Sequence, residues 1–195
     1  FFETEDGDLL IKTVKAHEIF RLLAKNNWSM AEPGILFWDR IENYNLLSND
    51  PDFKYAGVNP CAEEPLPNGG SCLLGSFNLV EYIDESGQYF DFARFRADIP
   101  IVVKAMNDVL DEGLPLHPLQ IQRDTVRDYR QIGIGMMGLA DLLIKLGIRY
   151  DSDNAIELCD KIGFVLANEA IRASALLAKE YGAYPKCNRE KLLKS

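Results

Sequence analysis

Asn59, Cys61 and Glu63 stand at alternate positions of the short run Asn59-Pro60-Cys61-Ala62-Glu63, and a second thiol, Cys72, follows eleven residues after the first. In an extended chain, side chains at i, i+2 and i+4 point the same way, so an amide, a sulfur and a carboxylic acid would share one face. Pro60 favours that arrangement, because its ring fixes its own φ and steers Asn59 out of the helical region. A hydrogen-bonding group, a thiol and a base would then converge on one small molecule. Each residue also has a plainer reading. A free cysteine is commonly a small buried apolar residue, and Asn before proline forms turns. Glu63 has an alternative as a solvated loop acid, and Glu64 beside it is read as one. Cys72 lies just beyond Gly69-Gly70, a turn able to fold it back towards Cys61.

These residues need elements to hold them. Apolar spacing predicts a helix over 13–27, broken by Pro33-Gly34, after which Ile35-Leu36-Phe37-Trp38 reads as a short buried strand. The polar stretch from Ile41 to Val58 predicts a loop leading to the cysteine segment, which Pro65, Pro67, Asn68, Gly69 and Gly70 end in a turn. Leu73 to Ile83 predicts a further strand. Val102, Ala105, Met106, Val109 and Leu110 have helical spacing and Gly113 is a natural stop. Leu139, Leu142, Leu143 and Leu146 mark another helix, ending at Gly147. A long last helix starts in the N-cap cluster Asp151-Ser152-Asp153-Asn154. It places Ile156, Cys159, Gly163, Leu166, Ala170, Ala173 and Leu177 on one seam before Gly182 and Pro185. Gly133-Ile134-Gly135-Met136-Met137-Gly138 has the spacing G-x-G-x-x-G, yet it follows the polar residues 124–130, not an apolar strand. It is expected to be a tightly packed lead-in to the helix at 139–146, not a dinucleotide site. Helices outnumber strands, the two interleave, and no linker or repeat divides the chain.

With 195 residues, 47% of them hydrophobic and 26% charged, the chain suits one soluble domain. A net charge of −9 argues against broad binding to nucleic acid or anionic membrane. No apolar run is long enough to span a membrane, and the acidic start at Phe1 is not a signal peptide. Cysteines 61, 72, 159 and 187 fit neither a zinc pair nor a Cys-x-x-Cys motif, and His17 and His117 are the only histidines, so no metal site is expected. Reduced thiols in the cytoplasm are the expectation. Cys159 falls on the helical seam and reads as core, Cys187 has no assignable role, and His117 reads as a loop residue.

Three runs in order resemble a known family: Asn59-Pro60-Cys61-x-Glu63, Cys72-x-Leu74-Gly75-Ser76-x-Asn78-Leu79, and Arg130-Gln131-Ile132-Gly133-Ile134-Gly135-Met136-Met137-Gly138-Leu139-Ala140-Asp141. They look like the catalytic subunit of ribonucleotide reductase, over most of the chain. Pro60 and Gly75-Ser76 look closest to the adenosylcobalamin-dependent kind, and some iron-dependent enzymes share much of the pattern. The family's catalytic chain is several times longer, so 1–195 is expected to be one piece of its barrel domain with no second domain. The fold implied is α/β and helix-rich, a fragment of a ten-stranded α/β barrel with a central cysteine finger loop at about 57–70.

The resemblance further implies radical-based reduction of ribonucleoside di- or triphosphates to 2′-deoxyribonucleotides for DNA synthesis. Cys61 would carry a transient thiyl radical that takes the 3′ hydrogen, a C–H bond that no positioned base can activate. Glu63 would accept the 3′-hydroxyl proton, and Asn59 would hold the ribose hydroxyls in register. Cys72 would be one of two reducing thiols that close into a disulfide, its partner lying on an upstream strand outside this chain. A Cys61–Cys72 disulfide is sterically conceivable but would quench the radical position, so both thiols are expected to be reduced or Cys72 paired elsewhere. The cofactor implied is adenosylcobalamin, the alternative being a radical from a separate metal-containing small subunit, with none bound by these residues alone. Thioredoxin or a glutaredoxin-type protein would be the reductant. A buried finger loop needs surrounding strands to satisfy its backbone, so the isolated piece is expected to be inactive. Two other readings stay open: a glycyl-radical-type enzyme of related barrel fold, and a non-enzymatic helical interaction module built on the seam from 156 to 177.

Overall fold

A computed structural model describes residues 2–3, 6–7, 9–71 and 73–194. The chain forms two compact units, one running up to Ile41 and one from Glu42 onward.

The first unit opens with a hairpin in which β1 (Phe2–Glu3) pairs antiparallel with β2 (Leu9–Leu10). α1 (Ala16–Met30) follows, starting and ending three residues later than the apolar spacing predicts. Its C-cap, Ala31, takes a left-handed φ of 58° and donates its N–H to Asn27 O, the usual way of closing a last turn. No residue of α1 is buried. The expected buried strand at 35–38 is absent: Ile35, Leu36 and Phe37 are exposed, and Trp38 instead begins α2 (Trp38–Asn43). A four-residue apolar run has no periodicity of its own, and among the described residues no strand lies beside this one to take its hydrogen bonds.

The second unit holds the core. β3 (Tyr55–Val58) and β4 (Pro65–Pro67) form an antiparallel hairpin with a bulge between Tyr55 and Gly57. Neither was expected, since 41–58 reads as loop and 65–70 as turn. Prolines at both ends of β4 suggest a turn, but an outer strand tolerates them because their missing N–H groups face away from the ladder or end it. β5 (Leu74–Asn78) is shorter than expected and passes into a 3₁₀ turn over Leu79–Tyr82. α3 (Phe92–Gly113) starts at Asp91, whose side chain caps Arg94 N–H at 2.9 Å, and stops at the expected glycine. α4 (Gln120–Tyr129) has no clear apolar spacing to predict it, because its apolar residues are few.

β6 (Gly133–Met137) corrects the reading of the glycine-rich run as a simple helix lead-in. It is a strand, paired in parallel with β5 from Leu74↔Gly133 to Asn78↔Met137. Its glycines permit close approach: a Cβ at 135 would lie 3.2 Å from Ser76 Oγ. Gly138, at φ +76°, then turns the chain into α5 (Leu139–Lys145). α6 (Asp153–Tyr181) begins where the N-cap cluster predicts, with Ser152 Oγ accepting from Ala155 N–H at 3.2 Å. Its inner face carries Ile162, Val165, Leu166 and Ala173, so most of the expected seam holds, while Ile156 is exposed. A short α7 (Arg189–Leu192) ends the described chain.

α3 and α6 pack together over the β5–β6 pair. Phe95 is fully buried and meets Phe77, Tyr82 and Phe90 edge-on, with ring centroids 5.0–5.4 Å apart. Tyr82 keeps its hydroxyl satisfied by donating to Asp98 Oδ2 at 3.0 Å. Burial, then that bond, pushes the phenol up to about 12. Phe95→Ala empties the middle of this ring cluster and should destabilise the second unit by about 3–5 kcal/mol. Urea unfolding midpoints of parent and variant measure it; a loss below about 1 kcal/mol would mean the ring cluster is not the core's keystone.

Candidate active site

The loop between β3 and β4 carries Asn59, Cys61 and Glu63, and its backbone departs from the extended form that simple alternation assumes. Ala62 N–H donates to Asn59 O at 2.9 Å, a tight turn, and Ala62 sits at a left-handed φ of 67°. Asn59 closes the loop twice over. Its N–H donates to Glu64 O at 3.2 Å, and its Oδ1 accepts Glu64 N–H at 2.9 Å. Its role as a turn-former is thus visible, and the same bonds hold its amide in place. Cys61 is exposed and its thiol free, and Glu63 is exposed too. The turn therefore presents the thiol and the acid outward while Asn59 and Glu64 are brought together at its base. Glu64 is half-buried, not the solvated loop acid that its position suggests.

The turn after β4 is fixed from the side by α4. Thr125 Oγ1 donates to Asn68 O at 3.0 Å, and Gly69, at φ +75°, has Ile121 and Thr125 where a Cβ would go. Gly70 N–H donates to Pro67 O at 2.9 Å. Nothing in the sequence announces Thr125 as an anchor, because the partner is a backbone oxygen 57 residues away. Cys72, the second candidate thiol, lies outside the described residues. Cys159 on α6 and Cys187 are half-buried and free.

Several residues of the recognisable runs prove structural. Gly75 leaves room for Met106, whose Sδ lies 2.9 Å from where a Cβ would be. Asn78 Oδ1 caps the 3₁₀ turn at Val80 N–H, 3.4 Å away, and packs against Gly138. Arg130, in a left-handed conformation at the end of α4, makes a two-pronged pair with Asp111, at 2.5 and 3.0 Å, and donates to Asn107 Oδ1 at 3.2 Å. That guanidinium holds the Asp111 carboxyl below the usual range. These groups line a cleft of about 470 Å³ with Lys104, Tyr181 and Tyr184. Its charges answer one another, Lys104 Nζ donating to Asp108 at 2.6 Å, and none of its walls comes from the cysteine loop. His117 contributes only its carbonyl, which accepts from Arg123 Nε at 2.7 Å. No helix is long and apolar enough to cross a membrane among the described residues.

A thiol-bearing turn beside a parallel strand pair that helices cover is an α/β arrangement, and comparison with known proteins says which barrel such a piece comes from. The family model of the ribonucleotide reductase barrel domain matches residues 2–195. The chain belongs to that family, and its helix-rich α/β fold is a piece of that barrel. A vitamin B12-dependent ribonucleoside-diphosphate reductase of Thermoplasma acidophilum is 37% identical over 176 residues, covering 90% of this chain and 22% of the relative. The ribonucleoside-diphosphate reductase subunit alpha of Chlamydia pneumoniae is 33% identical over 191 residues, 93% of this chain and 17% of its own length. The chain thus spans about a fifth of the length of these relatives. Among solved structures, the class Id ribonucleotide reductase alpha subunit of Actinobacillus ureae superposes with a TM-score of 0.72 over 91% of this chain and 33% of that one. At 23% identity that likeness speaks for the fold alone.

Proposed function

We propose that this chain is the part of a ribonucleotide reductase catalytic subunit that carries the radical cysteine, and that the whole subunit reduces ribonucleotides to 2′-deoxyribonucleotides. The observation that carries this reading is the exposed, uncapped Cys61 thiol at the tip of a turn that Asn59 and Glu64 close from behind. A thiol meant for the core would be covered; this one stands out on a hydrogen-bonded turn, two residues from a carboxylate.

The chemistry then assigns each group a task. A thiyl radical at Cys61 takes the hydrogen atom from C3′, so an S–H bond forms as the C3′–H bond breaks. Glu63 accepts the 3′-hydroxyl proton. The C2′ hydroxyl leaves as water, and Cys72 with a second thiol supplies two electrons and two protons while becoming a disulfide. Cys61 then returns its hydrogen to C3′, and Glu63 returns the proton to the 3′ oxygen. Asn59 keeps the ribose hydroxyls in register, its amide already fixed by the bond from Glu64 N–H. Similarity to the B12-dependent relatives supports adenosylcobalamin as the cofactor, and the accessible sulfur of Cys61 is the group of this chain on which it would act. When bound, the group would supply the radical that takes the hydrogen atom from the Cys61 thiol. Thioredoxin or a glutaredoxin-type protein is the proposed reductant and the cytoplasm the proposed site of action, and the isolated chain is expected to make no product.

Cys72→Ser in the full-length subunit tests the disulfide step. Single-turnover product is expected to fall to a small fraction of the parent's, and steady-state turnover with thioredoxin to be lost by about 10²-fold or more. Normal steady-state reduction in that variant would make Cys72 a bystander.

A further inference from the structure

Glu64 is the one acid of the loop that the proposed chemistry leaves idle, and its surroundings are unusual. Oε2 is closed off from solvent with no hydrogen-bond partner among the described residues, a costly state for a carboxylate oxygen. The other oxygen explains how it is held. An ideal Cβ on Gly133 would lie 2.5 Å from Glu64 Oε1 and 3.3 Å from its Cδ. The carboxylate thus occupies the notch that the missing side chain of Gly133 leaves in β6. That notch lies at the first rung of the parallel pair, Leu74↔Gly133, beside the bond from Gly133 N–H to Leu73 O at 2.9 Å. The backbone of the same Glu64 makes both bonds that close the turn on Asn59. A group kept in so poor a place is held there by the loop closure, not by its own affinity for the notch.

We propose that Glu64 is the positioning residue of the cysteine loop: its backbone latches the turn and its carboxylate, seated over Gly133, sets where Cys61 stands relative to the β5–β6 pair. Gly133 is needed because any side chain there would evict the seat. The inference rests on the radical reading of Cys61, which requires the sulfur to meet one C–H bond. A misplacement of about 1 Å in such a site can cost about 10²-fold in rate.

The test is a double-mutant cycle in the full-length subunit. Gly133→Ala fills the notch and is expected to lower kcat on the order of tenfold, with the substrate KM within about twofold. Leu74 Cδ2 also lies 2.5 Å from the new methyl, but this side chain is half-exposed and can swing away. Glu64→Ala empties the notch, with a similar loss expected. In the double variant the alanine methyl occupies the space that the carboxylate left, so it should be no worse than either single variant, whereas independent losses would multiply to about a hundredfold. Multiplying losses, or a Gly133→Ala subunit indistinguishable from the parent, would overturn the proposal. Should Gly133→Ala fail to fold, Glu64→Gln and Glu64→Asp decide: Gln keeps the reach and Asp keeps only the charge, so kcat above that of Asp is expected for Gln, and the reverse order sinks the seat. The alkylation rate of Cys61 by iodoacetamide, followed by peptide mass spectrometry, gives a readout apart from turnover and is expected to rise severalfold in both alanine single variants. Unchanged rates with Cys61 still essential remove the seat alone. Turnover retained by Cys61→Ala removes the radical reading and leaves the alkylation result to stand on its own.

Discussion

Cys61→Ala in the full-length subunit is expected to abolish deoxyribonucleotide formation, by about four orders of magnitude or more in kcat, while ribonucleotide affinity changes by less than about threefold. The asymmetry follows from what the thiol is for. An exposed side chain at the tip of a turn that its neighbours close contributes little to folding, so its loss leaves the turn, the strands beneath it and the binding surface intact. Chemistry has no substitute for it. Removing a hydrogen atom from a non-acidic carbon requires a radical of matched bond strength, and neither a methyl group nor a water molecule provides one. Calorimetric titration with ribonucleotide beside a turnover assay separates the two quantities. A variant that still turns over would end the assignment of the thiyl radical to residue 61.

The next largest effect is expected at Glu63. Glu63→Gln retains the size and hydrogen-bonding capacity of the side chain but cannot accept the 3′-hydroxyl proton, and kcat should fall about 10²- to 10⁴-fold, the usual worth of a general base. Glu63→Asp keeps a base and shortens its reach by one methylene, so it should fall between the parent and the Gln variant. The adjacent Glu64 makes this a clean comparison, since the two acids differ in surroundings: Glu63 is exposed, Glu64 half-buried over Gly133. Turnover of Glu63→Gln within about threefold of the parent would transfer the base role elsewhere.

Much of this is legible in the sequence. α3, α5 and α6 announce themselves through apolar spacing, and two of them through their ends, as at Gly113 and Ser152. The alternate spacing of Asn59, Cys61 and Glu63 identifies the residues of interest although the geometry inferred from it is wrong, because alternation presumes an extended chain and Ala62 adopts a left-handed turn. Glycine is where sequence and structure part most. Residues 133–137 read as a tightly packed lead-in to a helix, yet they form a strand whose bare backbone serves the close approach of Ser76, Leu74 and Glu64. Local sequence does not say which neighbour needs the room. The same holds for Thr125, whose partner is remote, and for Ile35–Phe37, whose apolar character says nothing about whether another strand exists to cover it.

The strand that leads away from the cysteine loop bears on solubility. β4 is Pro65-Leu66-Pro67, so of its three peptide nitrogens only that of Leu66 bears a hydrogen, and its single neighbour among the described residues is β3. A foreign strand arriving at its open side finds almost no donors to grip. The cysteine loop therefore runs into a strand whose outer edge is a poor template for an intermolecular sheet.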